Sequence, residues 1–178
     1  AASDLTISNV NGDVNVGNGI SLTATSGSVT ASDNVALIDL TGTSQNTITA
    51  GTNVSLTAIT DSAAVTELEV NADDDITLST VTLDNLATSI LDLDLDEDGG
   101  GGALSASNLT AGQITVDGTG ADDTFTFNES VTSSNTSITL NAADIITLSE
   151  DVLAASDLTI SNVNGDVNVG NGISLTAT

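Results

Sequence analysis

The chain has 178 residues and a formal net charge of −25, with 25 acidic side chains and no Lys, Arg, His, Cys, Met, Trp, Tyr or Pro. Without a basic residue it forms no side-chain ion pair, grips no nucleic-acid backbone and is repelled by an anionic membrane surface. It holds no run of about 20 apolar residues to span a bilayer, and its inventory builds no Cys/His metal cluster, Ser–His triad or phosphate loop.

High charge alone would favour disorder. Against it, 39% of the residues are hydrophobic, nearly all Val, Ile, Leu and Ala, and the polar remainder is rich in Thr, Ser and Asn. Val, Ile and Thr favour strands. Phe125 and Phe127 are the only aromatic residues, so the expected core is thin and aliphatic.

From the start of the chain, short apolar–polar–apolar segments predict strands with one buried face. Leu5–Ile7 and Val14–Val16 come first, then Ile20–Leu22, Val35–Leu37, Val54–Leu56, Ile76–Leu78, Leu93–Leu95, Ile114–Val116, Ile138–Leu140, Leu158–Ile160 and Ile173–Leu175. Turn signals separate them, among them Asn11-Gly12-Asp13, Ser26-Gly27-Ser28 and Asn164-Gly165-Asp166. From Ile20 to Ile173 the eight steps cover 153 residues, about 19 each.

Residues 1–25, AASDLTISNVNGDVNVGNGISLTAT, recur letter for letter as residues 154–178. Chance does not produce such an identity, so residues 1–153 are expected to be one full tandem repeat of about eight coils, and 154–178 the start of the next. The chain does not begin with Met and shows no signal peptide, as expected of a window on a longer array.

Short strands in coils of about 19 residues predict an all-β parallel β-helix, a β-solenoid in which each coil buries its apolar face only against its neighbours. At about 4.8 Å per coil, eight coils would rise about 38 Å. The alternative is a tandem array of immunoglobulin-like β-sandwiches, which usually carry a buried Trp or a Tyr corner that this sequence lacks.

The segments GNGISLTATSGSVTAS (residues 17–32) and TITAGTNVSLTA (residues 47–58) resemble repeats of the filamentous haemagglutinin-like exoproteins and large bacterial adhesins. The resemblance covers much of residues 14–60 and 154–178 and is weaker over 85–135. It implies a secreted right-handed β-helix acting in adhesion or matrix building at a bacterial surface. Members of that family usually contain Lys and Arg, so the chain departs from them in composition.

The strongest local feature is Leu91-Asp92-Leu93-Asp94-Leu95-Asp96-Glu97-Asp98, followed by Gly99 to Gly102. With Leu91, Leu93 and Leu95 inward, Asp92, Asp94 and Asp96 share the outer face. With the triplet at Ile76 set beside that at Leu93, and Leu93 beside Ile114, Asp75 stands beside Asp92 and Asp117 beside Asp96. Rows of carboxylates repel one another and invite a hard divalent cation with oxygen ligands, of which Ca²⁺ suits a flexible carboxylate set. The bland counterpart is a solvated acidic face that keeps the molecule soluble. Asp117-Gly118-Thr119-Gly120-Ala121-Asp122-Asp123 is loosely similar to the turns of calcium-binding β-rolls, but stands as a single copy leading into a strand whose Phe125 and Phe127 point inward. The candidate Ca²⁺ ligands are therefore Asp75, Asp92, Asp94, Asp96, Asp98, Asp117, Asp122 and Asp123.

An enzyme is not expected. Polysaccharide lyases on this fold need a basic residue, and the adjacent carboxylates of Asp122 and Asp123 would face opposite sides of a strand. The expected function is a structural repeat segment of a secreted, acidic bacterial surface filament or adhesin stalk, with contributions to a biofilm matrix. Its main partner would be itself, as array, fibre or bundle. The alternative is a Ca²⁺-dependent adhesin module that binds a glycan or a host or cell-surface receptor.

Overall fold

The computed structural model describes residues 1–7, 14–17, 21–26, 28–38, 44–61, 65–83, 88–95, 100–118, 122–141 and 143–178. Every strand pair among them is parallel, and each strand's partner lies one coil away. The chain is a β-solenoid whose turns follow one another at about 23 residues. No described residue lies in a helix, so none forms a helix able to cross a membrane.

Three ladders run along the axis. The first contains β1 (Leu5–Ile7), the leading halves of β4 (Val29–Ile38), β6 (Val54–Asp61), β8 (Ile76–Thr82) and β10 (Ala103–Ala111), then β12 (Thr124–Phe127), β15 (Ile145–Leu148) and β18 (Val167–Val169). The second begins with β2 (Val14–Gly17), continues through the trailing halves of β4, β6, β8 and β10, and ends with β13 (Val131–Ser133), β16 (Val152–Ala154) and β19 (Leu175–Ala177). These two ladders form one sheet, and the register of β4 on β6 shifts between Ala31 and Asn34, where one ladder passes into the other. The third ladder is a separate sheet: β3 (Ser21–Ala24), β5 (Ser44–Ala50), β7 (Val65–Ala72), β9 (Ile90–Leu95), β11 (Gln113–Gly118), β14 (Ile138–Asn141) and β17 (Leu158–Ser161).

Alternation along each strand decides what is buried. In the first ladder Val29, Val54, Ile76, Leu104, Phe125 and Ile146 are successive partners, all buried. In the second, Val35, Ile59, Val81, Leu109, Val131 and Val152 do the same. In the third, Ile48, Val70, Leu93, Val116 and Leu140 stack in line. Each fully buried aliphatic side chain contributes about 2 kcal/mol by leaving water. Phe127 pairs with Ala106 on one side, a small residue beside a large one, while Phe125 lies between Leu104 and Ile146. The backbone is satisfied at the corners too: Asp74 N–H donates to the Thr52 carbonyl one coil back, and Ser134 N–H to that of Ala111.

The structure corrects the coil length from about 19 to about 23 residues. The triplets that set the shorter figure lie on different ladders: Val35 on the second, Val54 and Ile76 on the first, Leu93 and Ile114 on the third. Counting them in sequence mixed whole turns with parts of turns. With 153 residues per repeat and about 23 per turn, a repeat makes about six and two-thirds turns. At about 4.8 Å per coil it rises about 32 Å rather than 38 Å.

The non-integral turn shows in the two identical segments. Residues 1–25 place β1 on the first ladder, β2 on the second and β3 on the third, whereas residues 154–178 place β17 on the third, β18 on the first and β19 on the second. The same sequence occupies the same three kinds of strand, displaced by one face.

The glycine-rich insert lengthens one coil locally. Ile76 pairs with Leu104, 28 residues on, while Leu104 pairs with Phe125, 21 residues on. Gly101 takes a φ of +114°, and a Cβ on Gly102 would collide with the Asp74 carbonyl oxygen. Glycine is thus required where the insert rejoins the ladder, because backbone lies against backbone there.

Candidate metal centre

β9 and β11 lie side by side on the third ladder. Leu91, Leu93 and Leu95 point inward and are fully buried, as the alternation predicts, which turns Asp92 and Asp94 outward. Asp94 pairs with Asp117 on β11 and with Asn71 on β7, and Asp92 pairs with Thr115 and Glu69. Asp92, Asp94 and Asp117 are half-buried, and one carboxylate oxygen from each lies within 4.8 Å of the others.

The surrounding side chains are polar and partly engaged. Asn141 Nδ2 donates to Asp117 Oδ1 at 2.6 Å. Asn71 Nδ2 donates to Glu69 Oε1 at 3.0 Å, and Thr47 Oγ1 donates to Glu69 Oε2 at 3.3 Å. Among the described residues around the three carboxylates, Asp92 Oδ1 and Asn71 Oδ1 stay buried without a partner. Burial first, then the carboxylates of Asp117, Glu67 and Glu69, hold the Asp92 carboxyl above its ordinary acidity range.

The donor set fits a hard cation. All ligand atoms are oxygens, and Ca²⁺ binds oxygens at about 2.3–2.6 Å. Two oxygens on opposite sides of one ion are then about 5 Å apart, so three atoms within 4.8 Å of one another can share an ion. The site offers no nitrogen or sulfur donor of the kind zinc prefers. Chemically it can concentrate a divalent cation and link adjacent coils through it. No acid–base pair with a nucleophile is assembled there.

The other candidates stand elsewhere. Asp75 does not lie beside Asp92: it precedes β8 in the other sheet, where its Oδ1 accepts from Ala103 N–H at 3.0 Å. Asp117 lies beside Asp94 and not Asp96, two residues from the expected register, because β9 and β11 are 23 residues out of step rather than 21. Asp96 and Asp98 lie outside the described residues. Asp122 is exposed in a turn, and Asp123 is fully buried, with Oδ1 accepting from Gly102 N–H at 2.7 Å and its carbonyl accepting from Asp144 N–H. Asp123 therefore ties the glycine-rich corner to the next coil. Phe125 and Phe127 follow it into the core as expected.

Glu69 and Asn71 were not among the expected site residues. Their signal was present in Glu67-Leu68-Glu69-Val70-Asn71, whose alternation precedes Ile90-Leu91-Asp92-Leu93-Asp94 by 23 residues. A 19-residue spacing does not bring the two segments together. Comparison of the chain with protein-family models, with curated proteins and with solved structures gives no match.

Proposed function

We propose that the chain is a structural repeat segment of a secreted, acidic bacterial surface filament or adhesin stalk, working outside the cell and without catalysis. The observation that carries this is the recurrence of 25 identical residues inside one uninterrupted set of ladders. A rod that continues through its own repeat boundary gains length by adding repeats, with no new type of interface. The acidic exterior discourages lateral pairing of strand edges between rods. Absence of Lys and Arg removes every cleavage site for a trypsin-like protease, which suits an extracellular life.

Electron microscopy of a chain carrying several 153-residue repeats tests this, together with antibody labelling of whole cells. Expected are a continuous thin rod growing by about 32 Å per repeat and labelling at the cell surface. Beads on a string, or label confined to the cytoplasm, would reject it.

The carboxylates of Asp92, Asp94 and Asp117 favour a second reading, a Ca²⁺-dependent adhesin module for a glycan or receptor. A shallow groove lies near the starts of β9 and β11, lined by Thr88, Gln113, Asn135 and Thr136 among others. It offers hydroxyl and amide groups to a sugar but no aromatic ring. Calorimetric titration with Ca²⁺, followed by glycan binding with and without chelator, separates the readings: no heat and no binding leave the scaffold alone.

A further inference from the structure

The three carboxylates of the third ladder have a neutral neighbour whose oxygen is left over. Asn71 pairs with Asp94, and Asp94 with Asp117, so the three stand in one column across β7, β9 and β11. Asn71 is only 8% exposed. Its Nδ2 donates to Glu69 Oε1, which orients the amide, while its Oδ1 is buried without a partner. Asp92, which pairs with Glu69, holds a second buried oxygen in the same state. Leaving such an acceptor unsatisfied is costly. In most proteins a basic side chain would answer it, and this chain has no Lys, Arg or His. The two amides of the column already donate elsewhere, Asn71 Nδ2 to Glu69 and Asn141 Nδ2 to Asp117. What suits two such oxygens beside a carboxylate cluster is a cation.

We propose that Asn71 Oδ1 is a fourth oxygen ligand of a Ca²⁺ ion held by Asp92, Asp94 and Asp117, and that this ion clamps three successive coils together. Ca²⁺ takes about six to eight oxygens, amide carbonyls among them, and completes its shell with water. Strands in a sheet lie about 4.8 Å apart, so Asn71 and Asp117 flank Asp94 at one strand's distance on either side. Carboxylates on β9 and β11 alone would tie two coils. The amide on β7 brings in the third. The ion also offsets the repulsion among the carboxylates, which otherwise opposes the stacking of these strands.

This inference rests on the cation centre of the second reading and gives the ion a part in the rod itself, with no glycan involved. It differs from diffuse attraction of Ca²⁺ to a chain of charge −25. Diffuse counterions need no amide, saturate at no fixed number and favour no particular coils.

The test uses the full 178-residue chain at physiological ionic strength, which screens diffuse binding. Calorimetric titration with CaCl₂ is expected to saturate at one ion per chain, and MgCl₂, which gives up its water reluctantly, to bind more weakly. N71A is expected to bind Ca²⁺ at least about tenfold more weakly. N71D keeps an oxygen in place but loses the donor to Glu69, and is expected to bind at least as tightly as the parent. Asn128→Ala, an exposed amide just after β12 in the other sheet, is expected to change nothing. Circular dichroism in chelator checks that each variant is folded, and N71D, which keeps the volume of Asn, decides the question even if N71A unfolds. Hydrogen exchange is expected to slow in β7, β9 and β11 when Ca²⁺ is added to the parent. Heat that N71A leaves unchanged, or an N71D variant that binds more weakly than the parent, overturns the role of Asn71 while the carboxylate centre stands. Slowing confined to β9 and β11 overturns the three-coil clamp. No heat, or heat without saturation at one ion, overturns the centre and this inference with it, and leaves the filament reading untouched.

Discussion

The first and third ladders have matching interiors and contrasting exteriors. Inside, both are columns made mostly of Val, Ile, Leu and Ala, with Phe125 and Phe127 in the first and the buried Asn46 in the third. Outside, the first carries a hydroxyl line of Thr30, Ser55, Thr77, Ser105, Thr126 and Thr147, while the third carries Glu69 and Asp92 in one column and Asn71, Asp94 and Asp117 in the next. Strand geometry is the same under both. Inward residues thus decide the fold, and outward positions accept hydroxyls or carboxylates alike, with the carboxylates adding a local electrostatic cost. That cost is visible at Asp92, which is penalised by burial and by three neighbouring acids.

The largest expected effect lies in what the ladders share. Leu93→Ala, in the column beneath the carboxylates, removes a fully buried side chain and is expected to cost about 3 kcal/mol. Urea unfolding followed by circular dichroism measures it, and a loss below about 1 kcal/mol would mean the third ladder is not packed as described. Gly102→Ala comes next, at about 2 kcal/mol, because the added carbon meets the Asp74 carbonyl. The same assay reads it.

The contrast itself is sharpened by Asp92→Asn. In chelator at neutral pH this substitution is expected to stabilise the chain by about 1 kcal/mol, since it removes a repelled, partly buried charge. With Ca²⁺ present the sign reverses, and calorimetry is expected to show at least tenfold weaker ion binding. A destabilising effect in chelator would show that the Asp92 charge is not penalised.

The pH dependence follows from the same group. The folded Asp92 binds its proton more tightly than the unfolded one. Its ionisation therefore lowers stability as pH rises from the ordinary carboxyl value through the raised one, and protonation restores that stability as pH falls. Unfolding curves in chelator are expected to show this slope in the parent and a flatter profile in Asp92→Asn. The smallest effect is expected on the hydroxyl ladder, where Thr77→Ala should shift stability by no more than about 0.5 kcal/mol.

Much of this was legible in the sequence, for definite reasons. The alternation of Leu91, Leu93 and Leu95 with Asp92 and Asp94 fixes which side of β9 is wet, and the structure agrees. The aliphatic composition and short strands led to a parallel solenoid rather than a sandwich. The register was not legible, because Val35, Val54 and Leu93 look alike as strand cores yet sit on three different ladders. One apolar–polar–apolar triplet is chemically equivalent to another on any face. This is also why residues 1–25 and 154–178 can share a sequence and differ in position. Asp123 shows another limit: no spacing rule distinguishes a carboxylate that holds a glycine corner from one that awaits a cation.

The near-regular coil spacing has a kinetic consequence. Each strand finds its partner about 23 residues back, so the loop to be closed, and the entropy it costs, stay nearly constant along the chain. Growth can begin at one ordered coil and advance turn by turn as the polypeptide emerges, without waiting for a distant segment. The time needed should then rise in proportion to the number of coils, and a longer array would fold more slowly only because it has more turns to lay down.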